Sequence, residues 1–188
     1  AMPLQTGNAE TGDICGECLQ HPPPFALAAA PWIYSGAIVS LLTRFKFHSE
    51  LACGRLLAAL ADEALAQWHG WHDVDLVAPV PLHEKRLAQR GYNQALELAR
   101  ALARSHGLKL APELLRRIRD TPPQTDLSAE QRRKNLRGAF EAHMLPENAR
   151  VLLIDDVFTT GATLREAART LRKAGASSVH VLAMARVP

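Results

Sequence analysis

Val151-Leu-Leu-Ile-Asp155-Asp156-Val-Phe-Thr159-Thr160-Gly161-Ala162-Thr163 is the stretch on which the reading of this chain turns. Four apolar residues, Val151 to Ile154, make the continuous run expected of a buried parallel strand. Two adjacent carboxylates follow, then a short loop of Thr and Gly. A helix begins after it, with Leu164, Ala167, Ala168 and Leu171 as its apolar stripe. Paired carboxylates accept hydrogen bonds from a vicinal diol such as that of a ribose. Backbone N–H groups of a Gly-containing loop at a helix N-terminus hold a phosphate, aided by the helix dipole. Thr hydroxyls add donors without adding charge. Taken singly, each part has an ordinary reading: any buried strand, a good N-cap, or two acids that are solvated or hold a metal ion. Their order within one strand–loop–helix unit points to a ribose carrying a 5′-phosphate.

Outward from this unit the chain alternates helices and strands. Ile38, Leu41, Leu42 and Phe45 recur at helical spacing, as do Leu56, Leu57, Leu60, Ala64 and Leu65, with an end near Gly70. Asp75-Leu-Val-Ala-Pro-Val-Pro81 predicts a short strand closed by prolines. Ala95, Leu98, Ala99 and Leu102 predict a helix capped near Gly107, and Val179 to Ala185 a final strand after the Gly175 stop. Such alternation implies an α/β fold with a parallel sheet flanked by helices. Ligands of such sheets bind beyond the carboxyl ends of the strands. Residues 1–31 carry Gly12, Pro22, Pro23, Pro24 and Pro31 without periodicity, so they are expected to form a tail or small module before a main domain at 32–188.

At 188 residues the chain is long enough for one full core without disulfides. No apolar run reaches the roughly 18 residues of a membrane span, and no signal peptide is evident. Three cysteines, an odd count, argue against a disulfide framework and for a reducing cytoplasm. Cys15 and Cys18 form one Cys-x-x-Cys pair, half the donor set of a structural zinc site. Cys53, between Ala52 and Gly54, is expected to be a small core residue.

Two further segments lie where a site in such a sheet would be. The first runs from Pro81 to Gln94. It is either a basic, solvated helix N-terminus or a diphosphate loop in which Leu82 and His83 stand at the turn, Lys85, Arg86 and Arg90 neutralise phosphate oxygens, and Gly91 allows a sharp turn into the next helix. The second, Arg116 to Arg137, holds seven Lys or Arg against three Asp or Glu and contains Pro122-Pro123, so it is expected to be a long loop. It is either an ordinary charged surface or a lid whose Gln124, Thr125, Arg132 and Arg133 close over a diphosphate.

The 151–163 stretch resembles the PRPP (5-phosphoribosyl 1-diphosphate) motif of type I phosphoribosyltransferases. Together with Lys46-Phe47, Pro81 to Gln94, and Gln124-Thr125-x-Leu127-Ser128 with Arg133 and Asn135, it is similar to the ComF (competence protein F, GntX-like) family, over about residues 13 to 187. The resemblance implies a type I phosphoribosyltransferase fold with Asp155 and Asp156 on the ribose. It also implies Thr159, Thr160, Gly161, Ala162 and Thr163 on the 5′-phosphate, and Mg²⁺ with the diphosphate. It links the chain to DNA uptake. The family's N-terminal zinc finger has two Cys-x-x-Cys pairs, of which only Cys15 and Cys18 are present, so stoichiometric zinc is not expected. About a dozen residues follow Gly175, too few for a C-terminal base-recognition hood.

Two functions follow as expectations. One is transfer of phosphoribose from PRPP to a base. The other is a PRPP- or nucleotide-sensing module that binds single-stranded DNA or DNA-uptake proteins through its basic surface. Aromatics are only 5% of the chain and none falls between Tyr92 and Phe140, so base-stacking platforms are not evident there. Between Ile118 and Leu136 Leu127 is the only large apolar residue, too little burial to offset ordering entropy. Hydrogen exchange across residues 121–133 is therefore expected to slow when PRPP and Mg²⁺ are added; equal exchange with and without them would mark a static surface loop.

Overall fold

A computed structural model describes residues 19–121 and 135–188. The strands are β1 (Leu27–Ala29), β2 (Trp32–Ile33), β3 (Leu76–Pro79), β4 (Lys109–Leu110), β5 (Leu115–Arg117), β6 (Phe140–Ala142), β7 (Arg150–Phe158) and β8 (Ser178–Arg186). The helices are α1 (Gly36–Phe47), α2 (Leu51–Ala64), α3 (Glu84–Arg90), α4 (Gln94–Ser105) and α5 (Ala162–Lys173). The main sheet has the order β1-β8-β7-β3-β4, all parallel, with β2 also pairing β8. β5 and β6 form a separate antiparallel ribbon. This is an α/β architecture, a parallel sheet with helices on both faces.

The apolar runs explain the two-sided cover. Val151 and Leu153 pack on one face with Ala167, Leu171 and the ribbon residues Leu115 and Phe140. Leu152 and Ile154 pack on the other with Leu42, Phe45, Leu57, Leu98 and Leu102 of α1, α2 and α4. Successive strand residues face opposite ways, so a strand buried on both faces reads as unbroken hydrophobicity. Among the described residues no helix is long and apolar enough to cross a membrane.

Four expectations need correction. The sheet begins before residue 32: Leu27–Ala29 pairs with His180–Leu182, so these residues belong to the main sheet and not to a separate tail. In α2 the buried face is Cys53, Gly54, Leu57, Ala58 and Ala61, while Leu56 and Leu60 are exposed. Side-chain size misdirects here, because the face that packs is the one whose small residues allow close approach. The 116–137 region is not loop throughout: Arg116 and Arg117 lie in β5, and Thr121 and Leu136 are buried. β7 also continues past the two acids to Phe158, because β8 keeps pairing as far as Arg186. Cys15, Cys18, Gln124, Thr125, Arg132 and Arg133 lie outside the described residues.

Gly54 shows how close the helices come. A Cβ there would sit 2.4 Å from Cε2 of the fully buried Phe45 ring. Gly54→Ala gains helix propensity of about 1 kcal/mol, yet overpacking costs about 1–3 kcal/mol. Denaturant melts are expected to show net destabilisation; a gain in stability would mean that the Phe45 ring yields without cost.

Candidate functional site

A cleft of about 200 Å³ opens at the carboxyl ends of β3 and β7. Its floor is Asp155 and Asp156. Asp155 has the strand parity of Val151 and Leu153, and Asp156 that of Leu152 and Ile154, so the two leave the strand toward opposite layers. Both still line the cleft, which straddles the end of the sheet. Asp156 is met by Lys46 at the end of α1, with Nζ 2.9 Å from Oδ2. Asp155 accepts the backbone N–H of Asp156 through Oδ1 at 2.9 Å. Burial and then the neighbouring Asp156 charge raise the Asp155 carboxyl to about 7, against the counter-pull of that N–H, Lys46 and Arg117. Adjacent acids thus occupy different states, one ion-paired and one held partly protonated near neutrality.

The loop after β7 turns at Gly161, which adopts φ 71° as the N-cap of α5 and accepts no bulk, since a Cβ would lie 2.6 Å from the Phe158 ring. No side chain caps this helix. Its first-turn N–H groups have no intrahelical acceptor, which suits an anion. Thr159 and Thr163 line the cleft, and Thr160 Oγ1 is buried with no hydrogen-bond partner among the described residues.

The opposite wall follows β3. Leu82, Arg86 and Arg90 line the cleft, as the sequence suggests. Asn93 fixes the turn by donating Nδ2–H to the Val80 carbonyl at 3.0 Å and accepting the Ala95 N–H, as the N-cap of α4. Arg90 donates to Gln94 Oε1 at 2.8 Å and stands 5.6 Å over the Phe47 ring; burial holds its pKa below the ordinary guanidinium value. His83 and Lys85 are not among the lining residues. His83 caps α3 by accepting the Lys85 N–H, and Lys85 pairs with Asp120 at 3.4 Å on the exposed side.

Sequence reasoning missed Arg117 and Gln94, and gave Lys46 only as part of a resemblance. Arg117 carried a usable signal: with Leu115 it occupies the inward parity of β5, and a charge on a buried parity calls for a reason. Lys46 had none, since its partner is 110 residues away. Among the described residues no group of three His, Cys, Asp or Glu could hold a metal ion, and Cys53 is a buried core thiol whose Sγ lies 3.7 Å from Glu50.

Residues 94–188 match the phosphoribosyl transferase domain family. Competence protein F of Haemophilus influenzae is 35% identical over 178 residues, covering 92% of this chain and 78% of that protein. DNA utilization protein YhgH of Salmonella typhimurium is 33% identical over 175 residues, covering 92% and 77%. The solved structure of the allosteric regulatory enzyme of purine biosynthesis aligns at TM-score 0.47 and 23% identity, covering 70% of this chain and a quarter of that one (25%).

The Asp155 environment sets a pH dependence. A carboxyl raised above its unfolded value binds its proton more tightly in the folded state, so its contribution is favourable in acid and is lost as pH climbs from about 4 toward 7. Asp155→Asn keeps the acceptor and removes the charge. It is expected to stabilise the unliganded protein by on the order of 2 kcal/mol at about pH 8 and by nothing at about pH 4. Denaturant melts at the two pH values check this; a gain of equal size at both would place the effect elsewhere than in this proton.

Proposed function

Because the chain belongs to the competence protein F family of phosphoribosyltransferase-like proteins, we propose that its cleft binds PRPP with Mg²⁺ and transfers the phosphoribosyl group to an acceptor base. The observation that carries this reading is the acid pair and the uncapped Gly161 helix start, which follows Asp156 by five residues along one strand–loop–helix unit. The diol of the ribose hydrogen-bonds to Asp155 and Asp156. The 5′-phosphate rests on the backbone N–H groups of residues 159–163. The diphosphate extends toward Arg86 and Arg90, whose forks match phosphate oxygens.

In the reaction the bond from C1 to the diphosphate oxygen breaks with its electron pair leaving on the diphosphate. A nitrogen lone pair of the base then forms the new bond to C1. The chain contributes electrostatics: carboxylates below a ribose that becomes cationic, and guanidinium groups at the departing anion. Carboxylate and phosphate oxygens are the donor set Mg²⁺ prefers, and two protein carboxylates fit an ion that is otherwise held by the ligand's phosphates and water. When bound, Mg²⁺ neutralises leaving-group charge. Lys46 pairs with Asp156 and holds it in place. The cysteine usage favours a cytoplasmic setting. The relatives are named for competence and for DNA utilization, and in this reading single-stranded DNA or DNA-uptake proteins are the partners.

PRPP with Mg²⁺ at a hundredfold its Kd is expected to stabilise the protein by about 2.7 kcal/mol, seen as a raised Tm. Asp155→Asn with Asp156→Asn abolishes that shift; an equal shift in the double variant removes the pair from ribose binding. Exchange of labelled diphosphate into PRPP with candidate bases then tests transfer. Binding without exchange for any base would favour the sensing module.

A further inference from the structure

Helix α2 packs its small-residue face, Cys53, Gly54, Ala58 and Ala61, toward α1 and α4 and leaves the opposite face to solvent. That outer face carries Ala52, Leu56, Ala59 and Glu63 at i, i+4, i+7 and i+11, flanked by Arg55 and Leu60, and all six are exposed. Leu56 is 47% and Leu60 38% exposed. Single surface leucines are ordinary, but two of them one turn apart and interleaved with alanines form an apolar strip. Its spacing is that of a helix seam that packs against a second helix. None of these residues lines the cleft.

The charges on this face say what covers it. Among the described residues neither Arg55 nor Glu63 has an ion pair or a side-chain hydrogen bond. They cannot pair with each other, because eight residues separate them by about 12 Å along the helix axis. Asp62, beside Glu63, is already engaged by the His106 ring at 2.6 Å and by the Ser105 hydroxyl. The strip is, however, complementary to its own reverse. Laid antiparallel about a two-fold axis, Leu56 of each copy faces Ala59 of the other, a large residue on a small one twice over. In that register Arg55 of one copy stands within about 5 Å, along the axis, of Glu63 of the second. A parallel pair would instead set Arg55 on Arg55 and Glu63 on Glu63, which repel.

We propose that the outer face of α2 is a self-association surface. A second copy of this chain docks its own α2 there, antiparallel, with Leu56 over Ala59 and Arg55 against Glu63 on both sides of the two-fold axis. The alanines let the two backbones approach closely, as small residues at a helix crossing do. One helix pair is smaller than the roughly 800 Å² per partner of a standard stable interface. The dimer is therefore reversible and its population rises with protein concentration. It stands apart from the chemistry of the cleft and does not depend on the phosphoribosyl reading.

Analytical ultracentrifugation of the whole chain, from micromolar to near-millimolar concentration, tests this. The parent is expected to pass from monomer to dimer, with no larger species. Leu56→Glu sets a carboxylate over Ala59 of the second copy and should leave monomer only. Its Tm at dilution should match that of the parent, because position 56 faces water in the monomer; a lowered Tm would mean that the face is not free, and overturns the proposal. Arg55→Glu and Glu63→Arg, each alone, bring like charges together at both symmetry-related pairs and should each weaken association about tenfold. The double reversal on one chain restores opposite charges at both pairs and should recover the parent affinity. A parent that stays monomeric throughout overturns the proposal and leaves the face to another occupant. A dimer that survives Leu56→Glu is built elsewhere and overturns it as well. Loss of the dimer in Leu56→Glu, with no response to either single reversal, overturns the antiparallel pairing.

Discussion

Consecutive residues of a strand point to opposite faces, and in this protein the two acids of the site are consecutive. β7 is buried on both sides, so Asp155 and Asp156 are delivered to different layers. They meet one cleft only because it lies at the end of the sheet, where neither layer closes over the strand. Each acid then draws electrostatic support from its own side. Lys46 comes from the helical layer of α1, and Arg117 from the ribbon of β5 and β6. Both layers must be in place for the floor of the site to exist.

The close packing of the helical layer follows from this need. α1 can bring Lys46 over the strand end only if it sits near the sheet and against α2. Gly54, Ala58 and Ala61 give α2 a low surface, and Phe45 fills the space a side chain at position 54 would take. Phe45 and Lys46 are neighbours in sequence, so the buried ring anchors the turn that carries the cation. Core packing and site geometry are here one constraint seen from two ends.

The charge of the cleft is local and not global. The chain carries only +3, yet four cations, Lys46, Arg86, Arg90 and Arg117, line a cleft with two carboxylates. Part of that excess is dehydrated, as the buried Nε of Arg117, without a hydrogen-bond partner among the described residues, shows. Such a site stores unfavourable electrostatics that an anionic ligand relieves, a common trade of stability for binding.

The parallel sheet, the strand that carries the acids, the Gly161 turn and the Arg86–Arg90 wall were legible because each is a local pattern. Unbroken apolar runs, paired acids, a glycine at positive φ and a basic turn after a strand keep their meaning wherever the chain folds. Where size and spacing conflicted, as with Leu56 and Leu60, the local pattern chose the wrong face, since close approach depends on the neighbour. Lys46 at Asp156, Arg117 at Thr121 and the pairing of Lys85 with Asp120 were decided only by tertiary structure. Each depends on a partner brought from another layer or another segment, and no spacing along the chain encodes which charges the sheet will bring together.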